Sequence, residues 1–367
     1  MSSGWKEPPE VEGDEADDSS QEALTAELRT LLEQREFNYI LPPERPHPVL
    51  MLGDKTICTP GNLSNIQGPA KTAKSTVVGA ILASAMKVGK HQTDTLGFVS
   101  ENPKGWAVLH FDTEQSPFDH HALVTRALER AGTNTPPAWL HSYCLTDLGL
   151  EDRRLAILTA IADADKKHKG VLMVIIDGVA DLCVDPNDAK EAFKLVSSLH
   201  TAAIRHECAI ITVLHENPGS DIGKMRGHLG SQLERKAETP LRLQKDANTG
   251  IITMWSDRAR HCHIPKSQGS CFVWSDEAQM HVSCGDASEV RLTGNRRKFE
   301  GEVVAAFGEA VTLAYKQLTE QIVKTTGLRI DAAKKRVKSY LDEGLITKND
   351  DGSYCLTTVK NHDGVLV

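Results

Sequence analysis

Residues 65–75 of the chain read Asn65-Ile66-Gln67-Gly68-Pro69-Ala70-Lys71-Thr72-Ala73-Lys74-Ser75. An apolar run at Leu63–Gln67 leads into this stretch, and an Ala- and Val-rich run at Ser75–Met86 follows it, which predicts a strand, a loop and a helix in that order. The stretch fits the pattern G-x-x-x-x-G-K-[ST], with alanine in place of the second glycine. Such a loop directs backbone N–H groups at phosphate oxygens at the positive end of a helix. A chance loop is the alternative, and the flanking strand and helix argue against it.

The loop predicts a nucleotide site that uses ATP and Mg²⁺. Lysine at position 74 suits the β- and γ-phosphates, and a hydroxyl at position 75 suits the metal ion. Because alanine carries a Cβ, we expect the loop to accept Ala73 without a positive φ at that residue. The residues expected to contact the nucleotide are Gly68, Ala70, Lys71, Thr72, Ala73, Lys74, Ser75 and Thr76.

Polar residues follow three other apolar runs of the chain. Val171–Ile176 ends at Asp177, which predicts a second metal-binding position beside Ser75, although many buried strands end in an Asp that only caps a helix. Ala107–Phe111 ends at Asp112-Thr113-Glu114. We predict that Glu114 reaches the γ-phosphate from a neighbouring strand and orients or deprotonates the attacking water there, with Asp112 as structural support. The alternative for Glu114 is a solvated loop acid.

The run Ile210–Leu214 ends at His215, which could hydrogen-bond a γ-phosphate and report its loss to the next loop. A histidine at a strand end is more often a satisfied structural residue, and both readings stay open here. The Gly-rich segment that follows carries Lys224 and Arg226, as a cationic switch that contacts DNA would require.

Apolar strands that alternate with helices predict an α/β fold with a mainly parallel sheet, buried on both faces. The predicted helices include Phe118–Ala131, which stops at Gly132, and two later ones with apolar stripes. These stripes are Leu155, Leu158 and Ile161, then Phe193, Val196 and Leu199. Short runs between residues 240 and 285 suggest antiparallel strands.

The order of these elements resembles the RecA/DnaB-type ATPase core and is closest to small hexameric plasmid helicases of the RepA kind. The resemblance covers roughly residues 45–280. Asp112-Thr113-Glu114 is similar to the place of the family's catalytic glutamate, and His215 to its strand-end sensor. Met225–Ser231 resembles the family's R-G-x-x-G-S stretch, and Leu241–Lys245 the strand after it.

The same resemblance implies a ring in which subunits share ATP sites. DnaB-like proteins carry a K-x-R pair that reaches into the site of the next subunit, and Arg258-Ala259-Arg260 is similar to it, with Arg260 as the better candidate finger. A homo-oligomer resembling a hexameric ring is therefore expected. The amphipathic helix predicted at Gln21–Gln34 is a candidate for packing on the adjacent subunit.

The C-terminal part resembles a winged helix. We predict a helix at Phe299–Tyr315, a short helix at Leu318–Val323, a second helix at Asp331–Glu343 and a hairpin around residues 348–352. In such modules the second helix enters the major groove. Its candidate DNA-binding residues are Lys334, Lys335 and Lys338, with Ala332, Ala333, Val337 and Leu341 facing the core. A protein-binding module or a solvated basic helix is the alternative.

Composition and charge are consistent with these assignments. The 367 residues are 40% hydrophobic and 25% charged, as in globular proteins, and no apolar run is long enough for a membrane span. The net charge of −8 hides a basic region, because residues 291–340 hold eleven Lys or Arg against five acids. Eight cysteines without a C-x-x-C pair, and the absence of a secretory signal, predict a cytoplasmic protein. The expected domains are an acidic disordered tail at 1–20, a helix and Pro-rich linker at 21–48, an ATPase domain at 49–290 and a winged helix at 295–360.

Together these features predict an ATP-dependent motor that acts on DNA, a replicative helicase-like ATPase of a mobile element. Single strands would contact the core loops, and duplex DNA the winged helix. A DNA-binding regulator or partition protein, in which ATP gates assembly without unwinding, is the main alternative. A scaffold with an inactive nucleotide site is a third, which the intact Lys74, Ser75, Glu114 and Asp177 disfavour.

Overall fold

Buried apolar runs of the chain pair into a nine-stranded sheet. The computed structural model describes residues 18–87, 93–216 and 227–357. The chain divides into two units at residue 46. The first unit contains helix α1 (Asp18–Arg35), and all other elements belong to the second.

The strands up to residue 286 are β1 (Leu50–Leu52), β2 (Lys55–Cys58), β3 (Leu63–Gly68), β4 (Phe98–Val99), β5 (Ala107–Asp112), β6 (Leu140–Cys144), β7 (Val171–Asp177), β8 (Ala209–His215), β9 (Ala237–Lys245), β10 (Ile252–Trp255), β11 (Ser270–Ser275) and β12 (Met280–Asp286). The large sheet has the order β12-β11-β10-β9-β3-β8-β7-β5-β6. Neighbours from β9 to β6 are parallel, and β10 to β12 continue the sheet antiparallel. β1, β2 and β4 form a small separate sheet.

Helices cover both faces of the large sheet. They are α2 (Lys74–Met86), α3 (Pro117–Ala131), α4 (Leu150–His168), α5 (Ala189–Arg205) and α6 (Gly227–Lys236). The apolar side chains of α2 and α3 pack with Ile175 of β7 in one core, whereas those of α4, α5 and α6 pack with Ile176 in the other. Successive strand residues point to opposite faces, so each buried strand contributes to both cores. The predicted α/β fold with a mainly parallel central sheet is confirmed.

Helix α3 shows how local sequence sets an element's ends. The Ser116 side chain accepts a hydrogen bond from the Asp119 N–H, and Pro117 occupies the first helical position, where no N–H is needed. The helix ends at Gly132, whose φ of 75° suits glycine.

The apolar stripes predicted for α4 and α5 were partly wrong. Leu155 and Leu158 of α4 are 65% and 41% exposed, and Phe193 of α5 is 57% exposed. The buried stripe of α4 instead begins at Ile157 and includes Ile161. Rotation of each helix follows the sum of its contacts with the sheet, and an apolar residue beside the stripe can stay at the surface.

The remaining elements are α7 (Ala287–Phe307), β13 (Thr312–Leu313), α8 (Tyr315–Thr326), α9 (Ile330–Asp342), β14 (Ile346–Lys348) and β15 (Tyr354–Leu356). The helix predicted at Phe299–Tyr315 was misplaced, because α7 starts at Ala287 and stops before Gly308. Asp286 and Glu289 form a capping box at its start, a signal that is present in the sequence. The predicted boundary between residues 290 and 295 falls inside this continuous helix.

The C-terminal elements have a core of their own. Phe307 of α7, Leu318 of α8 and Val337 of α9 pack together, and β13, β15 and β14 form a three-stranded sheet in that order. On α9 the prediction that Ala332 faces the core was wrong: Ala332 is exposed, and Tyr340 is buried instead. Assignment of this part as a winged helix stays a prediction. None of the described helices combines the length and apolar character that crossing a membrane requires.

Candidate functional site

The loop between β3 and α2 makes a tight path that depends on glycine at its start. A Cβ on Gly68 would lie 2.8 Å from the Leu243 carbonyl oxygen and 2.8 Å from the Thr72 hydroxyl. The Thr72 hydroxyl donates to the Pro69 carbonyl at 2.8 Å and closes the turn. Gly68 is therefore required by the close approach of β9 and of the loop's own side chain.

Ala73 corrects an expectation from the sequence. Its φ is 58° and its ψ 35°, a left-handed conformation, and Lys71 has a φ of 63°. The expectation that Ala73 would avoid a positive φ was wrong. The backbone keeps the shape that the second glycine of the pattern would have, and alanine adopts it at a conformational cost of about 1 kcal/mol.

Lys74 is buried at the first residue of α2. Its ammonium donates to the carbonyls of Gly68 at 3.0 Å and Pro69 at 2.8 Å, and it lies 3.0 Å from Nδ1 of His215. Burial lowers the pKa of Lys74, while the negative charges of nearby carboxylates act to raise it. The lysine side chain is thus folded over the mouth of the loop, where a phosphate oxygen could replace the two carbonyls.

His215 joins Lys74 to Glu114. Because an ammonium only donates, Nδ1 of His215 accepts, and the ring proton lies on Nε2, which faces Oε2 of Glu114 at 3.2 Å. Glu114 follows the end of β5, which is separated from β3 by β8 and β7, so Glu114 does not come from a strand adjacent to the loop. It reaches the loop through the histidine at the end of β8.

Asp177 and Ser75 are in contact at the end of β7. Burial, followed by the charges of Asp112 and Glu114, raises the pKa of Asp177 to about 7, although the Ser75 hydroxyl acts to lower it. The Oδ2 atom of Asp177 is buried and has no hydrogen-bond partner among the described residues. A cation would satisfy this oxygen, so the hydroxyl and carboxylate fit the predicted Mg²⁺.

Two histidines that the sequence analysis did not single out surround Asp112. His120 Nδ1 lies 3.3 Å from an Asp112 oxygen, and its ring stacks on His110 at 5.4 Å. Ser142 bridges the two rings, at 2.9 Å from His110 and 3.1 Å from His120. The other Asp112 oxygen accepts from the backbone N–H groups of Glu114 and Gln115. Asp112 thus fixes the turn that presents Glu114, as predicted for a supporting residue.

Gly178 is a further residue that the motif search missed. Its φ is 95°, and a Cβ there would lie 2.6 Å from Cγ of Glu114 and 2.3 Å from the Thr113 hydroxyl. The Thr113 hydroxyl donates to the Gly178 carbonyl at 2.9 Å. Glycine directly after the strand-end Asp177 was the available signal, and it lets the Glu114 turn pack against β7.

Glu216, next to His215, was also missed. Its side chain is 7% exposed and lies 3.5 Å from Nε of Arg242, which is 3.4 Å from Asp257. Asp257 in turn accepts from the indole N–H of Trp255 at 2.8 Å. A charged residue at the end of an apolar strand was the only local signal.

Arg258 and Arg260 lie away from this cluster. Arg258 pairs with Glu234 at 2.7 Å, and the Arg260 backbone N–H donates to the Glu238 carbonyl at 2.9 Å. Glu238 is beside the start of β3, since Ala237 pairs with Leu63, whereas the phosphate loop follows the end of β3. The five residue steps from Leu63 to Gly68 separate the two ends of β3 by roughly 17 Å. The arginines therefore do not serve the loop of their own chain.

The other predicted residues have varied environments. Ala70 and Lys71 are exposed on the loop, and the Thr76 hydroxyl lies 3.2 Å from Nδ1 of His281. Lys334, Lys335 and Lys338 are exposed on α9. Lys224 and Arg226 lie outside the described residues.

No curated protein matches the chain. Among solved structures, the RadB recombinase is 18% identical with a TM-score of 0.40, over 63% of this chain and 93% of its own. A KaiC-like protein from the archaeon Pyrococcus horikoshii OT3 is 12% identical with a TM-score of 0.43, over 66% and 100%.

Residues 23–221 match the AAA_25 family, described as an AAA domain. The match covers more than half of the chain and includes the phosphate loop, Glu114, Asp177 and His215. The chain accordingly belongs to the AAA_25 family and carries a P-loop NTPase domain.

Proposed function

We propose that this protein is an ATP- and Mg²⁺-dependent motor that acts on DNA, a ring-forming helicase-like ATPase of a mobile element. The observation that carries the proposal is the chain of contacts Lys74–His215–Glu114 beside Ser75 and Asp177. These contacts support the proposal, because they bring together a cation suited to phosphate, a carboxylate suited to water activation, and a hydroxyl and carboxylate suited to a metal ion.

Each residue has a distinct task in this proposal. Lys74 leaves its two carbonyl partners and neutralises the β- and γ-phosphates, while Ser75 and Asp177 hold Mg²⁺, which supplies charge stabilisation to the phosphates. Glu114 orients the attacking water and accepts its proton. His215 donates to Glu114 and accepts from Lys74, so arrival of a γ-phosphate at Lys74 changes both of its hydrogen bonds.

The arginine pair supports a shared site between subunits. Arg260 lies near the N-terminal end of β3, whereas the phosphate loop follows its C-terminal end. A residue that serves the ATP site of a neighbouring subunit is expected to lie away from its own loop in this way. In this proposal Arg260, assisted by Arg258, stabilises transition-state charge in the adjacent protomer, and oligomerisation is required for full activity.

We further propose that the C-terminal elements form a winged helix that binds duplex DNA. The three exposed lysines of α9 lie on the face opposite to its buried Val337 and Tyr340. They support phosphate contact by that helix. Single strands are expected at the segment that carries Lys224 and Arg226.

The alternative function is an ATP-gated DNA-binding regulator without unwinding activity. The basic surface of α9 favours it, because a duplex-binding helix needs no motor. The two functions differ in the nucleic acid that stimulates hydrolysis.

Steady-state ATP hydrolysis by the full chain, with no DNA, with single strands and with duplex, tests the proposal. We expect stimulation by single strands and a loss of about 10²–10⁴-fold in Glu114→Gln. Glu101→Gln, at an exposed position outside the site, is the matched control and should hydrolyse normally. Stimulation by duplex alone would favour the regulator, and hydrolysis no faster than that of Glu114→Gln in every condition would exclude the motor.

A further inference from the structure

A cavity of about 220 Å³ opens beside the first turn of α2. Ser75 and Thr76 form part of its wall, whereas Lys74, Glu114, Asp177 and His215 do not line it. It therefore begins where the proposed phosphate site ends. The rest of the wall comes from Gly79 of α2, from Gln115, from α3 and from the hairpin of β11 and β12.

The hairpin is fixed firmly against α3. Arg130 of α3 is buried, and its guanidinium donates to the carbonyls of Asp94 and His281, the latter at 2.6 Å. Asp94 also accepts from the backbone N–H of Ser283 at 2.7 Å and from its hydroxyl at 2.6 Å. These hydrogen bonds hold the hairpin side of the cavity wall against α3.

His281 connects this wall to the phosphate site. Its Nδ1 lies 3.2 Å from the hydroxyl of Thr76, and its ring meets Phe272 and Trp274 edge to face, at 5.7 and 5.4 Å. Burial, with the positive charges of Lys245, Arg130 and Arg126, lowers the pKa of His281 and favours the neutral ring.

Two groups at the cavity are available to a ligand. Trp274 is 43% exposed, and its N–H is already satisfied by Asp276 at 2.8 Å, so the ring surface remains for contact. Arg126 is exposed and has no hydrogen bond or ion pair with any residue of the described ranges. Aromatic and guanidinium planes are the surfaces on which nucleobases stack.

We propose that this cavity binds the base and ribose of the nucleoside triphosphate, with Trp274 packing on the base and Arg126 at the mouth. The inference rests on the proposed function, because it assumes that Lys74 and Ser75 hold the phosphates. Trp274, Met280 and His281 lie beyond residue 221, where the family match ends. The C-terminal antiparallel strands therefore complete the nucleotide site of this chain.

Binding of Mg²⁺–ATP and of Mg²⁺–tripolyphosphate to the full chain, measured by titration calorimetry, tests the inference. Tripolyphosphate has the phosphates without base or ribose. In Trp274→Ala we expect the dissociation constant for ATP to rise roughly tenfold, in line with the loss of one base–aromatic contact, and that for tripolyphosphate to stay unchanged. Arg126→Ala should also weaken the binding of ATP while leaving the binding of tripolyphosphate unchanged. Phe193→Ala, which removes an exposed aromatic from the opposite face of the sheet, is the control.

Four results would overturn the inference. If the affinity for ATP is unchanged in both variants, the base binds elsewhere. Equal affinities of the wild type for ATP and for tripolyphosphate would mean the same. Either result leaves the proposed function intact. An equal loss of affinity for ATP and for tripolyphosphate in Arg126→Ala, whose exposed side chain does not hold the fold, would show that this region shapes the phosphate loop. A wild type that binds neither ligand would reject the proposed function together with the inference.

Discussion

At the scale of single residues, Ala73 shows that a loop can hold a left-handed backbone with alanine at the position where the motif has glycine. The residue adopts a φ of 58° directly before Lys74, so the loop geometry overrides the preference of the side chain. Lys74 then spans back to Gly68 and Pro69, and these contacts help to hold the turn. Backbone strain of this kind persists where surrounding contacts determine the conformation.

Ala73→Gly should therefore stabilise the protein. Glycine removes the left-handed strain but adds conformational freedom to the unfolded chain, so we expect the free energy of unfolding to rise by up to about 1 kcal/mol. Urea denaturation measures it. Ala80→Gly, at a buried position inside α2, is the control and should lower the free energy of unfolding by at least about 1 kcal/mol, because the losses of helix propensity and of a buried methyl group act in the same direction. A comparable decrease in Ala73→Gly would contradict the strain argument.

At the scale of elements, α9 separates a packing face from a charged face. Val337 and Tyr340 are buried, and the Tyr340 hydroxyl donates to Glu302 of α7 at 2.8 Å. Glu302 also pairs with Arg336 at 3.2 Å, whose guanidinium lies over the Phe299 ring. Arg336 is thus used in packing, and the lysines of α9 remain for other partners.

Replacing Lys334, Lys335 and Lys338 together by Gln should weaken duplex binding. Each lost phosphate contact lowers the slope of log affinity against log salt by about 0.9, so the slope should fall by up to about 3. Fluorescence anisotropy at several salt concentrations measures it. Lys166, Lys167 and Lys194, which are exposed on α4 and α5, provide a charge-matched control triple. An equal effect of both triples would mean that α9 is not a specific binding surface.

Elements were more predictable than the faces that they bury. The strands before Asp177 and His215 and the end of α3 at Gly132 follow from apolar runs and glycine position. The exposure of Phe193 does not follow, because burial depends on neighbours that are distant in sequence. The start of α7 at Ala287 was readable from its capping box and was missed.

At the scale of the whole molecule, the phosphate loop lies at the C-terminal ends of the parallel strands of the large sheet, and the arginine pair lies near their N-terminal ends. This arrangement follows from the parallel pairing of β3 with β9 and from the return of the chain through β10 toward the start of β9. A ring with head-to-tail contacts would bring Arg260 of one protomer to the loop of the next.

Mixing two inactive variants tests this arrangement. The Glu114→Gln variant keeps Arg260, and the Arg260→Ala variant keeps an intact ATP site. Each variant alone should lose ATP hydrolysis, and Arg260→Ala should lose it by about 10³-fold or more. A mixed ring should recover about a quarter of wild-type hydrolysis, because half of the sites and half of the fingers are intact. Glu114→Gln mixed with Lys74→Ala is the control and should stay inactive, since both changes affect the same site. No recovery in the first mixture would contradict the shared site.

The sequence by itself determined the phosphate loop, the polar strand ends and the parallel sheet, because these depend on short runs of residues and on glycine, lysine and carboxylate chemistry. Only the tertiary structure decided that His215 stands between Lys74 and Glu114, since the order β3-β8-β7-β5 sets that contact. It also decided the separation of Arg260 from its own loop and the cavity beside Thr76. Each of these results from pairing between segments far apart in the chain, and no local pattern encodes which strands become neighbours.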